Sequence, residues 1–311
     1  MTQYHPSSLD PLRNKVVVLT GGASGICAEL ARICHSAGAH VFFGDVLEDD
    51  GHAVEKELTA TGRSNHARFV KMDAANYSDN LRLFDAALQT CGHVDHAVSA
   101  AGISERGNLC DPQLDLQSVR QPPDQTMQTL DINLIGPLYF SRIASVYLRQ
   151  PHVDDKSATA AADKSLTLVS SIAGITETPG LTVYSSAKHG VIGLMRALRK
   201  TLIKAEPCPI RTNAICPWMT KTRLARGIEE EWLEAGLPSN EPVDVAKIMA
   251  GVLADGKTNG AALYVEGGNA WETEEGYDRT QPQWMGEELT RTFLRGQVVL
   301  GLGENWQKKK Q

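Results

Sequence analysis

Residues Lys15 to Cys27 read KVVVLTGGASGIC, and this stretch sets the frame for the rest of the chain. Lys15 to Thr20 is nearly all apolar and β-branched, as expected of a strand covered on both faces of a parallel sheet. A glycine-rich turn follows at once. Beyond it Ile26, Leu30, Ile33, Cys34 and Ala37 recur at threes and fours, the period of a helix with one buried face, and Gly38 closes the segment.

The same alternation continues outward. His40 to Asp45, Ala67 to Asp73, Val94 to Ser99, Leu166 to Ser171, Ile210 to Ile215 and Ala262 to Val265 read as strands. Helical segments are expected over Glu48 to Thr61, Ser78 to Cys91, Pro123 to Arg149 and Val183 to Ala205. Strands alternating with helices imply right-handed crossovers and an α/β, doubly wound parallel sheet. Neither a composition break nor an internal repeat divides it, so a single domain over 15–270 is expected. Residues 1–14 read as a flexible leader, Pro151 to Lys164 as a surface insertion, and 271–311 as a C-terminal extension.

Bulk composition narrows the function class. The 311 residues are 42% hydrophobic and 22% charged, ordinary for a globular protein. A net charge of -6 without a long basic run argues against nucleic acid. No apolar stretch is long enough to span a bilayer, and MTQYHPSSLDPLRNK lacks the order of a secretory signal. Six scattered cysteines without metal-type spacing read as reduced thiols, which points to the cytoplasm. His93 and His96 have no third ligand at matching spacing, so no metal is expected. Glu272, Glu274, Glu275 and Asp278 read as a solvated acidic face.

The turn itself carries chemistry. Gly21, Ser24, Gly25 and Ile26 lie where a backbone can approach a pyrophosphate and a helix can offer it unpaired N–H groups. Asp45 ends the second strand, where a carboxylate accepts ribose hydroxyls and repels a 2′-phosphate. NAD is therefore favoured and NADP disfavoured. Asp73, closing the third strand, is a candidate for the adenine edge.

Together, TGGASGIC (20–27), SAAG (99–102), Ser171, YSSAK (184–188) and CPWMTKT (216–222) resemble the short-chain dehydrogenase/reductase family in order and spacing over roughly 15–268. The WETEEG and GQVVLGLG segments further resemble fungal members related to 15-hydroxyprostaglandin dehydrogenase. Four positions depart from the family pattern: Cys27 stands at the third glycine, Ser99 and Ala100 at the two Asn of NNAG, and Trp218 at the glycine of PG. Cys27 reads as a packed thiol.

The resemblance implies a Rossmann-type fold and assigns a site. Ala101 and Gly102, with Pro217, Met219 and Thr220, would flank the cofactor. Tyr184 and Lys188, four apart on a helix, share one face. A free tyrosine titrates at about 10, and a neighbouring ammonium favours the phenolate, so Tyr184 can move the proton between alcohol and solvent. Ser171 would hold the substrate oxygen, family spacing selecting it over Ser170. Asn133 would support a water-linked proton path to Lys188, which would also bond the nicotinamide ribose.

The segment 217–242 would cover the substrate. Trp218, Met219, Leu224, Ile228, Trp232 and Leu237 make it apolar, which suits a hydrophobic alcohol or instead packing onto the domain or a neighbouring subunit. Trp218, Leu224 and Trp232, with Ser171, are the substrate candidates. The tail from Trp271 to Trp306 is expected to line that pocket or to cross a subunit interface. The expected activity is NAD-dependent interconversion of a secondary alcohol and a ketone on a hydrophobic small molecule, in secondary metabolism, by a homodimer or homotetramer. The alternatives are a non-redox isomerase or cyclase on the same scaffold, and a cofactor-sensing binding protein.

Overall fold

The computed structural model describes residues 1–6, 8–150 and 163–301. Most of the expected insertion, residues 151–162, and the end of the tail with Trp306 lie outside the described residues. Nine strands form one sheet: β1 (Thr2–Tyr4), β2 (Val16–Thr20), β3 (His40–Asp45), β4 (Ala67–Lys71), β5 (His96–Ser99), β6 (Lys164–Val169), β7 (Ile210–Pro217), β8 (Ala262–Glu266) and β9 (Asn269–Glu272). Their order is β1-β9-β8-β7-β6-β5-β2-β3-β4. From β2 to β8 every pairing is parallel.

The long helices are α1 (Gly25–Ser36), α2 (Glu48–Thr59), α3 (Tyr77–Cys91), α4 (Asp124–Leu130), α5 (Gly136–Tyr147), α6 (Thr182–Leu198), α7 (Glu229–Glu234), α8 (Pro242–Ala254), α9 (Glu274–Met285) and α10 (Glu287–Val299). Two apolar layers hold them to the sheet. Leu30, Val54, Met249 and Leu253 from α1, α2 and α8 pack with Val17, Leu19, Val41 and Phe43 on one face. Phe84, Phe140, Ile143, Val191 and Met195 from α3, α5 and α6 pack with Val18, Phe42, Leu166 and Leu168 on the other. Residues covered on both faces explain the unbroken apolar runs of β2 and β7.

Three local readings are corrected. Thr2–Tyr4, within the stretch expected to be a flexible leader, pairs antiparallel with β9, and Leu12 is fully buried. The sheet is therefore mixed at one edge, where β9 also runs antiparallel to β8. Lys164, assigned to the surface insertion, opens β6 and is buried, its ammonium satisfied by Asp95 at 2.9 Å and by the Val94 carbonyl at 2.6 Å. Glu274 is no part of a solvated face. Arg196 donates to both its oxygens at 2.9 and 2.8 Å, and Arg199 lies 3.1 Å away, so these pairs fasten α9 to α6.

The expected long helix over 123–149 is broken by a π-turn at Asp131–Ile135 between α4 and α5. Pro137 accounts for it. A proline has no N–H for the carbonyl four residues back, that of Asn133, and its ring collides with that carbonyl in regular α geometry. The widened turn carries Asn133, which is fully buried.

Candidate active site

The carboxyl ends of β2, β3, β4 and β5 open into a cleft of about 490 Å³. Gly21, Ser24, Gly25, Ile26 and Cys27 form its floor, with Asp45, Asp73, Ala101 and Gly102 along the walls. Backbone geometry requires the two turn glycines. Gly21 has φ +77° and a Cβ there would stand 3.1 Å from the Ala101 backbone; Gly25 has φ +57°. The Thr20 hydroxyl accepts the N–H groups of Ala100 and Ala101 at 3.0 and 3.1 Å, tying the turn to the SAAG segment. Asp45 accepts the Ala23 and Leu47 N–H groups, both at 3.1 Å, so its carboxylate is held at the mouth of the turn. A cradle lined by close-approach backbone, beside a helix N-terminus and a fixed carboxylate, fits an adenine dinucleotide.

Cys27 is buried in the core under the turn, and burial pushes its thiol well above the usual range, so it is packed rather than reactive. Arg223 also lines the cleft, bound to Asp50 of α2 at 2.6 Å, together with Thr222 and Leu224. Neither Thr222 nor Arg223 was singled out as a site residue, although Thr222 closes the CPWMTKT motif and both lie in the segment 217–242. Pro217, Met219 and Thr220, expected at this wall, lie beneath it. Asn240 ties them down, its side-chain amide donating to the Met219 carbonyl at 3.1 Å and to Thr220 Oγ1 at 3.3 Å.

At the inner end of the cleft the four proton-handling candidates come together. A Cβ on Gly102 would lie 3.1 Å from Asn133 Oδ1 and 3.6 Å from Lys188 Nζ. Asn133 clasps the backbone of Ile103, accepting its N–H at 2.9 Å and donating to its carbonyl at 2.8 Å. Lys188 Nζ donates to the Val169 carbonyl at 3.0 Å and sits 5.6 Å from the centre of the Tyr184 ring. The two serines separate by role: Ser170 donates to the Lys188 carbonyl at 2.8 Å, whereas Ser171 donates to the Pro217 carbonyl at 3.4 Å and accepts the Ala173 N–H at 3.2 Å.

The electrostatics differ from the expectation of a tyrosine eased down by an ammonium. Burial pushes the Tyr184 hydroxyl up, and Ser171 pulls it partway back. Burial also pushes Lys188 down to about 8. Burial disfavours both ionised forms, so the two are not held as a fixed charged pair.

The substrate candidates are divided. Leu224 lines the cleft and is exposed; Ile228 and Leu237 are exposed as well but do not line it. Trp218 and Trp232 instead pack edge-on with ring centres 5.1 Å apart, and Trp232 donates to the Pro238 carbonyl. In the tail, Trp271 packs on Tyr264 within the sheet and Trp284 on Tyr277. His96 is buried against Ser165 and pushed down to about 4 by burial, and His93 lies 3.2 Å from Asp95. Among the described residues His40, His66 and Cys91 bring ligating atoms within 4.8 Å of one another, at the opposite end of the strands. There His40 Nδ1 already accepts the His66 N–H.

Glu105 was missed altogether. Its carboxylate accepts the N–H groups of Val183 at 3.1 Å and Tyr184 at 2.6 Å.

The short chain dehydrogenase family pattern matches residues 15–232. The chain is 31% identical to a short-chain dehydrogenase/reductase, ascJ, of Acremonium egyptiacum, over 88% of this chain and 86% of that one. It is 28% identical to a 5'-hydroxyaverantin dehydrogenase of Dothistroma septosporum, over 91% and 94%. It is 30% identical to a 3-alpha-(or 20-beta)-hydroxysteroid dehydrogenase of Mycobacterium bovis, over 83% and 90%. Two solved structures share the fold. One is a dehydrogenase/reductase from Sinorhizobium meliloti 1021 (TM-score 0.68, 22% identity, 84% of this chain and 97% of that one). The other is a short chain dehydrogenase from Burkholderia cenocepacia J2315 in complex with NADP (TM-score 0.67, 24% identity, 83% and 98%). With a Rossmann-type sheet, a glycine cradle at its carboxyl edge and a buried Ser, Tyr, Lys and Asn at the inner end, the chain belongs to the short-chain dehydrogenase/reductase family and is an oxidoreductase acting on hydroxyl groups.

Proposed function

We propose that this enzyme uses NAD to interconvert a secondary alcohol and a ketone on a hydrophobic small molecule of secondary metabolism. The observation that carries the reading is the meeting of Lys188 and Asn133 at Gly102, with the Tyr184 ring beside Lys188, at the inner end of a cleft whose outer end is the glycine cradle. A bound nicotinamide dinucleotide supplies the hydride acceptor or donor. Gly21, Ser24, Gly25 and Ile26 would hold its pyrophosphate, and Asp45 its adenosine ribose. Lys188 would reach the nicotinamide ribose, with Ala101 and Gly102 beside it.

This chain's own residues handle the proton. The Ser171 hydroxyl orients the substrate oxygen toward Tyr184, whose own hydroxyl it draws downward against the effect of burial. Tyr184 takes the alcohol proton in oxidation and returns it in reduction. Lys188, near neutrality in its buried setting, stabilises the phenolate while it lasts and passes the proton outward along the side carrying Asn133.

NAD over NADP rests on Asp45, whose charge opposes a 2′-phosphate. A hydrophobic substrate rests on the exposed Leu224 lining the cleft and on the exposed Ile228 and Leu237 further along the same segment. The names of the hydroxyaverantin and hydroxysteroid dehydrogenases among its relatives point the same way. Six free cysteines support a reducing, cytoplasmic setting. Exposed Leu138 and Val146 on α5 support pairing of subunits into a homodimer or homotetramer.

The test is titration of purified protein with NAD and NADP, then turnover of hydroxysteroids and other bulky secondary alcohols followed by absorbance of the reduced cofactor. NAD-supported turnover that Tyr184→Phe abolishes is the expected result. Absence of cofactor binding overturns the reading, and turnover with NADP alone overturns the role of Asp45.

A further inference from the structure

Helix α6 carries Tyr184 and Lys188, yet its N-cap residue is Leu181, which has no side-chain acceptor. An N-cap side chain ordinarily accepts the N–H of the second or third helical residue. Here those residues are Val183 and Tyr184, and the acceptor arrives from elsewhere. Glu105, 78 and 79 positions away, takes one N–H on each carboxylate oxygen. The helix bearing Tyr184 and Lys188 is capped by a residue whose chain neighbours form the cleft wall.

The neighbours of Glu105 make this more than a stray contact. Ile103 and Ser104 line the cleft, as does Arg106. Ile103 is clasped on both backbone groups by Asn133 in the π-turn. The three residues 103–105 therefore fasten both helical elements of the site, one through Asn133 and the other through Tyr184.

We propose that Glu105 is a positioning residue for the proton transfer: by capping α6 remotely it fixes the height of the Tyr184 hydroxyl against Ser171 and the cleft. The proposal rests on the reading of Tyr184 as the proton-transfer residue. Glu105 fits the task better than a local cap would. A Ser or Asp at 181 would fix the helix start alone, whereas Glu105 fixes it relative to the wall that faces the cofactor. A carboxylate is also required, because two N–H groups must be met by two acceptors. An amide offers one acceptor and sets an NH₂ against the other N–H.

The variants that test this are Glu105→Gln, Leu181→Asp and the two combined. Hydrogen exchange of full-length protein reads the cap directly. In Glu105→Gln the Val183 and Tyr184 amides should exchange at least tenfold faster, with the rest of α6 unchanged, and Leu181→Asp should restore them. In NAD-driven oxidation of a 3-hydroxysteroid, Glu105→Gln should lower kcat by about tenfold while KM for NAD stays within twofold. Its solvent deuterium isotope effect on kcat should rise, as a misplaced tyrosine makes proton transfer slower than the steps around it. A merely structural role would lower activity with the folded fraction and leave the isotope effect unmoved.

Unchanged amide exchange in Glu105→Gln overturns the cap. Faster exchange with kcat and isotope effect unchanged overturns the positioning role. Tyr184→Phe run alongside separates the two levels. If that variant still turns over, the assignment of Tyr184 fails, and the exchange result still reports on the cap.

Discussion

Strand β6 ends in a buried ammonium on each side, and the two are treated in opposite ways. At its first residue, Lys164 is satisfied by the Asp95 carboxylate and the Val94 carbonyl. Burial alone would raise Asp95, but a hydrogen bond from His93 and the charge on Lys164 hold it well below the usual carboxylate range. At its last residue, the Val169 carbonyl receives Lys188, whose titration is set by burial with no carboxylate among its causes. One lysine is neutralised for stability, and the other is kept uncompensated and near its titration point. The sheet's amino edge is a structural ion cluster, and its carboxyl edge holds the site we propose for proton transfer.

The sharpest way to break this contrast is to remove each ammonium. Lys164→Met should destabilise the protein by roughly 3–5 kcal/mol in urea titrations, because Asp95 loses its buried partner. Lys188→Met should leave stability unchanged or raised, while kcat falls roughly 10²–10⁴-fold. Equal losses of stability in the two variants would erase the distinction.

Stability against pH sharpens it further. The unfolded chain protonates Lys188 at about 10.4, and the folded one at about 8. Between these values the unfolded state binds more protons at this group, so the Lys188 contribution to stability should climb with pH, by on the order of 3 kcal/mol, while the thiols of Cys27, Cys34 and Cys216, pushed up by burial, pull the other way. Lys188→Met should remove that climb. Asp95 has the opposite sign: its contribution is present above about 4 and lost as pH falls through its depressed folded value, and Asp95→Asn should flatten that acid limb. Melting temperatures across pH 2 to 10 in the three proteins read both limbs.

A smaller effect is expected at Glu274, buried between Arg196 and Arg199. Glu274→Gln should cost roughly 1–3 kcal/mol and expose α9 to limited proteolysis before the sheet unfolds. Smallest of all, Arg223→Ala removes an ion pair half open to solvent with Asp50, and should change stability by less than about 1 kcal/mol. A larger loss there would mean that exposed and buried pairs are not the separate classes described.

What the sequence made legible follows from range. The glycine turn, Asp45 and the strand runs are written in neighbouring residues, because a turn, a helix start and a doubly covered strand each impose local demands. The π-turn has a local signal too, Pro137 four residues after Asn133. Glu105 could not be read this way, since its partners lie 78 positions on and Leu181 only marks a cap as missing. Glu274 looked solvated because acidic residues cluster around it, and the arginines that bury it belong to α6. Lys164 adjoins a polar small-residue run and was grouped with it, although Asp95 draws it into the sheet. The Trp218–Trp232 contact likewise depends on how the lid folds back on itself.

The edge strand β1 carries a consequence for how the molecule is made. Its partner is β9, and Thr2 also donates to Glu275, 273 positions along. A ribosome emits this strand long before its docking site, at roughly 5–20 residues per second. For much of synthesis the segment therefore has nowhere to pair, and the central parallel strands can assemble without it. Its docking would be among the last long-range closures, a late clasp on a sheet already formed.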